Sequence, residues 1–211
     1  MKNVLCFGDS NTYGTPPMPG PEVSERFDRD IRWPGAMAAA LGAGWNVIEE
    51  GLPGRTTVFD DPIEGKFKNG RRYLEACLES HRPLDVIVLT LGTNDLKARF
   101  GNPVEDIAAG VSILASIITA VPNQGKAAKL LIVCPPPILL AGFLGTMFAG
   151  GDVKSRQFPP LFKAVAQQWG ADFLDTGPLI KVSDLDGIHY EASQHAILAK
   201  AITAKVRELA G

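Results

Sequence analysis

Five short apolar runs punctuate the chain, at residues 4–7, 45–48, 86–91, 130–134 and 173–174, each bounded by turn-forming residues. Apolar and polar positions do not alternate within them, and unbroken apolar runs of this length suit strands covered on both faces. Between the runs the apolar positions take helical spacing. Residues 34–41 open with Pro34, whose fixed φ fits a first turn. Residues 102–121 carry the clearest pattern, with Asn102 as cap, Pro103 in the first turn and Glu105 three residues after the cap. Two further helices are predicted over 159–169 and 191–209, the latter placing Leu198, Ile202, Val206 and Leu209 on one face. Strands alternating with helices predict parallel crossovers, and therefore an α/β fold: a three-layer α/β/α sandwich around a five-stranded parallel sheet. No repeat or linker divides the chain, so residues 1–211 read as a single domain, with the Pro- and Gly-rich stretch 15–21 as a surface loop after the first strand.

Composition narrows the classes. The 211 residues carry 21 Lys+Arg against 23 Asp+Glu, a formal charge of −2, and 45% of them are hydrophobic, so a full core forms without disulfides or a structural metal. The two signs are interspersed with no basic stripe, which argues against nucleic acid as a partner. Cys6, Cys77 and Cys134 are odd in number and widely spaced, drawing neither a disulfide framework nor a Cys-x-x-Cys knuckle; they read as buried thiols in a reducing compartment. The apolar stretches 111–121 and 129–144 are broken by Ser112, Ser116, Thr119, three prolines and Gly142, short of the roughly 20 residues of a membrane span. With Met1 as the start, too few residues precede Gly8 for a secretory signal, and a cytoplasmic location is expected.

In open α/β sheets ligands bind at the carboxyl ends of the strands. The loops there hold Gly8-Asp9-Ser10-Asn11-Thr12, then Gly51-Leu52-Pro53-Gly54-Arg55-Thr56-Thr57, then Gly92-Thr93-Asn94-Asp95, and Asp186-Gly187-Ile188-His189 ahead of the last helix. A serine hydroxyl is a weak nucleophile until an adjacent base, itself oriented by a third group, takes its proton. Of the three histidines, His81 falls on the opposite edge by strand-helix count and His195 inside the last helix, leaving His189 in a loop at the expected end. Asp186 stands three residues before it; Asp184 is a rival orienter that has to reach across Leu185 and the Asp186-Gly187 bend. The Ser10 N–H, the Gly54 N–H and the Asn94 amide are available to an oxyanion, each such donor typically contributing about 2.7–4 kcal/mol.

Each block alone has a plainer meaning. Gly-Asp-Ser is a common turn, Asn94 can cap a helix starting near Asp95, Asp186-x-x-His189 can enter a helix, and Gly51 and Gly54 can be turn glycines. Their coincidence at successive strand ends favours a site. Asp9 reads as structural, bonding backbone within its loop, and Tyr13, Phe27 and Trp33 as packing.

In order and spacing these blocks resemble the signature of the SGNH (GDSL-type) hydrolases, from Gly8 to His189. The stretches Cys6-Phe7-Gly8-Asp9-Ser10, Ile48-Glu49-Glu50-Gly51-Leu52, Arg55-Thr56-Thr57, Leu91-Gly92-Thr93-Asn94-Asp95 and Asp186-Gly187-Ile188-His189 are similar to the bacterial arylesterase/acyltransferase branch. The resemblance implies a flavodoxin-like SGNH hydrolase fold, Ser10 as nucleophile, His189 as base, Asp186 as its orienter, and Ser10, Gly54 and Asn94 as the oxyanion hole. It also implies a serine esterase that hydrolyses short-chain aryl and alkyl carboxylic esters through an acyl-enzyme, with acyl transfer to alcohols, assembly into a homo-oligomer, and neither cofactor nor metal. Asn11 departs from the branch, which often has Leu there, and sets a polar amide beside the expected acyl pocket.

Asn11, Thr93, Lys97, Leu144, Phe148 and Ile188 are the expected substrate contacts. The segment 135–151, with Phe143, Leu144 and Phe148, is expected as an apolar pocket wall, an oligomer interface or both. The alternative within enzymes is a carbohydrate O-acetyl esterase on the same triad, in which Asn11, Lys97 and Arg99 bind sugar hydroxyls. Other classes fit less well. Phosphoryl transfer through Asp9 lacks a second acid and a Gly-x-x-x-x-Gly-Lys loop, no Gly-x-Gly-x-x-Gly follows a strand, and Thr12 stands where a Gly-x-Ser-x-Gly elbow needs glycine. The expected partner is a small-molecule ester, with no nucleic acid and no membrane.

Overall fold

A computed structural model describes residues 1–22 and 25–211. Five strands, β1 (Lys2–Gly8), β2 (Trp45–Gly51), β3 (Val86–Thr90), β4 (Lys129–Cys134) and β5 (Asp172–Asp175), form one sheet in the order β2-β1-β3-β4-β5, every neighbouring pair parallel. The helices are α1 (Ser10–Tyr13), α2 (Trp33–Leu41), α3 (Gly70–His81), α4 (Val104–Ala120), α5 (Gly151–Ser155), α6 (Phe158–Gln168) and α7 (Ala192–Ala210). The expected α/β/α architecture is the one observed.

The unbroken apolar character of the strands has a direct cause, because successive side chains enter two separate cores. Leu5 and Phe7 of β1, Ile87 and Leu89 of β3, and Leu130 and Ile132 of β4 pack with α3, α4 and α6. Their neighbours Val4, Cys6, Val86, Val88, Leu131 and Val133 pack with α2 and α7. A one-residue slip of any strand would exchange its two faces, so register is fixed by both layers. All three cysteines are buried and free. Among the described residues, no helix is long and apolar enough to cross a membrane.

Two local expectations change. α4 starts at Val104 with Pro103 in the cap position and no side-chain cap. Asn102 instead turns inward, its Nδ2 donating to the Asp95 carbonyl at 3.3 Å. α3 has no counterpart in the apolar pattern, since it buries only Gly70, Leu74, Cys77 and Leu78 along twelve residues. Its one local signal is Asn69, whose side chain accepts from the Arg71 N–H at 3.0 Å.

The sheet order puts a topological switch point beside β1, where the crossovers to β2 and β3 leave in opposite directions. The loops after β1 and β3 diverge there and open a crevice at the carboxyl edge.

Candidate active site

Gly8 ends β1, and Asp9 begins the next turn by accepting the Asn11 N–H on its Oδ1 at 3.0 Å, the structural role expected of it. Burial pushes the Asp9 carboxyl up to about 6, against hydrogen bonding from Asn11 and the nearby His189 and Arg55. Ser10 follows as the first residue of α1, at the carboxyl edge of the sheet.

The loop before α7 supplies the partner. Gly187 holds φ +75°, and a Cβ there would lie 2.0 Å from the Leu139 carbonyl oxygen, so glycine is required for the bend that returns His189 toward β1. Asp186 Oδ1 accepts the backbone N–H groups of Ile188 at 3.0 Å and His189 at 2.9 Å, while Oδ2 accepts the Met18 N–H at 2.8 Å and meets His189 Nδ1 at 2.6 Å. On the far side of the ring, His189 Nε2 lies 3.1 Å from Ser10 Oγ. Asp186 is fully buried. Burial alone would raise its carboxyl, but the His189 ring bond, the imidazole's charge and the backbone donors outweigh it and hold the group below its ordinary value. A buried carboxylate that stays ionised fixes the imidazole tautomer and leaves Nε2 to receive a proton.

The remaining histidines take other roles. His195 is buried within α7, accepts the Trp33 N–H on Nδ1 at 3.3 Å, and is pushed down to about 4 by burial, which keeps it neutral. The His81 ring pairs with Glu50 at 2.9 Å. Asp184 is exposed, so the carboxylate against His189 is that of Asp186.

The two other loops complete the edge. Gly54 takes φ +79°, a left-handed conformation costly for other residues, and among the described residues no acceptor takes the Ser10 or the Gly54 N–H. Asn94 Nδ2 donates to the Arg55 carbonyl at 3.1 Å, which orients the amide and leaves its second N–H. Asn94 opens a 3₁₀ turn, Asn94–Leu96, whose cap position belongs to Thr93. The loops are clamped together from beneath. Arg55 Nη1 donates to the carbonyls of Gly8, at 2.9 Å, and Glu50, with its guanidinium 4.1 Å from the Phe7 ring centre. The Asp95 carboxyl takes the Thr57 N–H at 3.0 and 3.1 Å and the Thr57 hydroxyl at 2.5 Å.

A cleft of about 470 Å³ opens over these groups, with Ser10, Gly54, Asn94 and His189 in its floor. One wall is apolar: Phe143, Leu144, Met147, Phe148 and Ile188. The other is charged, from Glu64, Lys68 and Lys97, behind which Lys97 pairs with Asp61 at 3.4 Å and with Glu64. The expected contacts Lys97, Leu144, Phe148 and Ile188 therefore line the cleft. Asn11 and Thr93 do not, and both expectations are corrected. Asn11 lies buried beneath the cleft because its Nδ2 is drawn to the Ile188 carbonyl at 3.1 Å, tying α1 to the histidine loop; Thr93 is buried behind Asn94. Arg99 is held behind the wall by Glu64, at 2.9 Å, and Asp61. Sequence reading missed Glu64, in a turn between β2 and α3, Lys68, which ends the short 3₁₀ helix Lys66–Lys68 there, and Met147, one of the hydrophobic residues of the expected wall.

Comparison with known proteins identifies the family and the fold. The GDSL-like lipase/acylhydrolase family matches residues 6–197. The native aryl esterase of M. smegmatis is 39% identical over 99% of this chain and 100% of its own, with a TM-score of 0.95. A carbohydrate acetylesterase from Sinorhizobium meliloti is 40% identical with the same coverage and a TM-score of 0.93. A lipase/acylhydrolase from Enterococcus faecalis, 16% identical over 99% of this chain and 96% of its own, shares the fold with a TM-score of 0.67. A search of curated proteins found no match. With the family matched over nearly its whole length, the chain belongs to the GDSL-like lipase/acylhydrolase family, the SGNH esterases, and is a carboxylic ester hydrolase.

Proposed function

We propose that the protein hydrolyses esters of short acyl groups through an acyl-enzyme on Ser10, with His189 as general base and acid and Asp186 as its orienter. The observation that carries this reading is the run of contacts from Asp186 through His189 to Ser10, at 2.6 and 3.1 Å, opening into the cleft.

As Ser10 Oγ bonds to the ester carbonyl carbon, its proton passes to His189 Nε2. The carbonyl π pair moves onto oxygen, where the N–H groups of Ser10 and Gly54 and the Asn94 amide stabilise the charge. Collapse of this intermediate breaks the bond to the alcohol oxygen, which leaves with the proton from His189. Water then gives a proton to Nε2, attacks the acyl carbon and releases the acid, restoring the Ser10 hydroxyl. An alcohol in place of water returns an ester. Because Asp186 stays ionised, the imidazolium formed in each half is neutralised where it stands.

The apolar wall fits the acyl or aryl part. The charged wall favours a second reading of the alcohol part, since Glu64 accepts and Lys68 and Lys97 donate hydrogen bonds, as the hydroxyls of a partly acetylated sugar require. A relative at 40% identity is named a carbohydrate acetylesterase.

The test is peptide mapping after an organophosphate, followed on the same preparation by p-nitrophenyl esters from acetate to octanoate, acetylated xylan and acetylated monosaccharides, with and without an added alcohol. We expect the label on the Ser10 peptide and rates falling with acyl length. Labelling of a folded Ser10→Ala protein to the same extent refutes the mechanism. Faster turnover of acetylated sugars than of aryl acetates selects the second reading.

A further inference from the structure

Outside the cleft, α3 carries Tyr73, Cys77 and His81 at intervals of four, which stacks them on one face of the helix. That face meets Glu50 of the edge strand β2. The His81 ring nitrogen lies 2.9 Å from Glu50 Oε1 and the Tyr73 hydroxyl 3.3 Å from the same oxygen. One ligand atom each from Glu50, Cys77 and His81 falls within 4.8 Å of the others. None of the three lines the cleft.

From this juxtaposition we infer a second site: Glu50, Cys77 and His81 form a binding site for a borderline-soft divalent cation, with zinc its natural occupant.

The donor set of one sulfur, one imidazole nitrogen and one carboxylate oxygen suits zinc and disfavours magnesium and calcium, which take oxygen ligands. Ligand atoms around a tetrahedral zinc stand roughly 3.3–3.7 Å apart, given bonds of about 2.0–2.3 Å. The present separations therefore need shifts on the order of 1 Å, within reach of side-chain rotation. Two ligands come from one helix, at positions that face the same way before any ion arrives, which lowers the ordering cost. Access is from the His81 side, where the imidazole is 30% and the Glu50 side chain 19% exposed. Cys77 lies against the core behind them.

Charge and protons balance. The cation replaces the thiol proton of Cys77, which passes to solvent. His81 binds as neutral imidazole through one ring nitrogen, and Glu50 as carboxylate. Two anionic ligands on a divalent ion leave the first shell neutral, so the nearby Arg55 guanidinium, already held by the Gly8 and Glu50 carbonyls, is not opposed by a new net charge. Water or the Tyr73 oxygen fills the fourth position.

The full-length protein, stripped with chelator and desalted, is titrated with cobalt(II), and zinc is then added. We expect one equivalent of cobalt, a thiolate-to-cobalt charge-transfer band, and stoichiometric displacement by zinc but not by excess magnesium. By competition with a chromophoric chelator, Cys77→Ser and His81→Ala should each weaken zinc binding by more than about 100-fold, beyond what loss of an outer-shell partner costs. Cys77→Ser should also lose the band, and His189→Ala should keep both band and affinity, which separates this site from the catalytic histidine. Absence of the band in the wild type, or zinc affinity unchanged in His81→Ala, overturns the inference. His81→Ala carries that test even where Cys77→Ser fails to fold, because the His81 side chain is partly exposed and outside the core clusters.

Discussion

Two clusters in this protein contain a carboxylate, an imidazole and a group that becomes nucleophilic on losing its proton, yet they are built for different chemistry. At the carboxyl edge the imidazole stands in the middle, with Asp186 2.6 Å from Nδ1 and Ser10 3.1 Å from Nε2. On α3 the ring of His81 is engaged with Glu50, with the Cys77 thiol gathered around the same carboxylate. The first order suits the proposed relay, because a proton leaving Ser10 has a base beside it and an anion behind that base. The second suits the cation site proposed above, because one donor atom from each residue lies within 4.8 Å of the others. Residue identity alone does not separate them. Burial pushes the Cys77 thiol up to about 12, with the Glu50 charge adding to the effect, so the intrinsically better nucleophile of the two is kept protonated.

Paired substitutions sharpen the contrast. Ser10→Ala should lower kcat for p-nitrophenyl acetate by about 10⁴–10⁶ with the fold kept, leaving what the oxyanion donors and binding supply. Cys77→Ser, assayed in metal-free buffer, should stay within about threefold of wild type, since removal of a group outside the reacting set leaves the transition state intact. Near-wild-type turnover in Ser10→Ala, or collapse of turnover in a folded Cys77→Ser, erases the distinction.

Asn94→Ala comes next. Its amide is oriented by the Arg55 carbonyl and faces the cleft floor. Loss of a donor that engages only as charge develops should cost about 10²–10³ in kcat at nearly constant KM. A change confined to KM, read from full saturation curves, assigns Asn94 to ground-state binding.

Much of the edge was legible in the sequence, for a physical reason. Glycines with a left-handed or crowded backbone, such as Gly54 and Gly187, and polar residues directly after apolar runs mark the loops of this edge without reference to tertiary structure. The alternate burial of Val4, Leu5, Cys6 and Phe7 in two cores was legible too, as an apolar run without alternation. What was not legible depends on contacts between distant segments. Asn11 reads as a pocket residue by adjacency to Ser10, but a carbonyl 177 residues away turns its side chain beneath the floor. Asn102 reads as a cap, but the Asp95 carbonyl captures its amide. Glu64 and Lys68 reach the cleft from a turn and a short 3₁₀ helix, and α3 hides because its exposed face is mostly charged. Local rules identify where the backbone must bend; they do not say which distant acceptor a short polar side chain will find.

The smallest expected effect distinguishes two buried carboxyls on the same edge. Asp186 is held ionised by His189 and backbone donors, whereas Asp95, facing Thr57 and in no ion pair among the described residues, is pushed up to about 7 by burial, the Asp9 charge adding to this. The two groups make opposite contributions to stability. A carboxyl lowered on folding stabilises the native state above its unfolded value and loses that contribution as pH falls through the folded one. A carboxyl raised on folding does the reverse: between the ordinary value of 3.8 and about 7 the native state holds a proton that the unfolded chain has released, so stability falls as pH rises across that interval and levels off above it. Asp95→Asn removes this proton exchange while keeping an oxygen for the Thr57 N–H. Wild type should therefore lose more Tm than the variant between pH 5 and pH 8, by about 5–11 °C for a chain of this size. The ionisation of Asp9, raised to about 6, remains in both proteins and cancels in the difference. Parallel Tm profiles would mean that Asp95 is ionised throughout, its three hydrogen bonds with Thr57 then doing for it what His189 does for Asp186, and the contrast between a carboxylate with an imidazole partner and one without would no longer explain how this edge is charged.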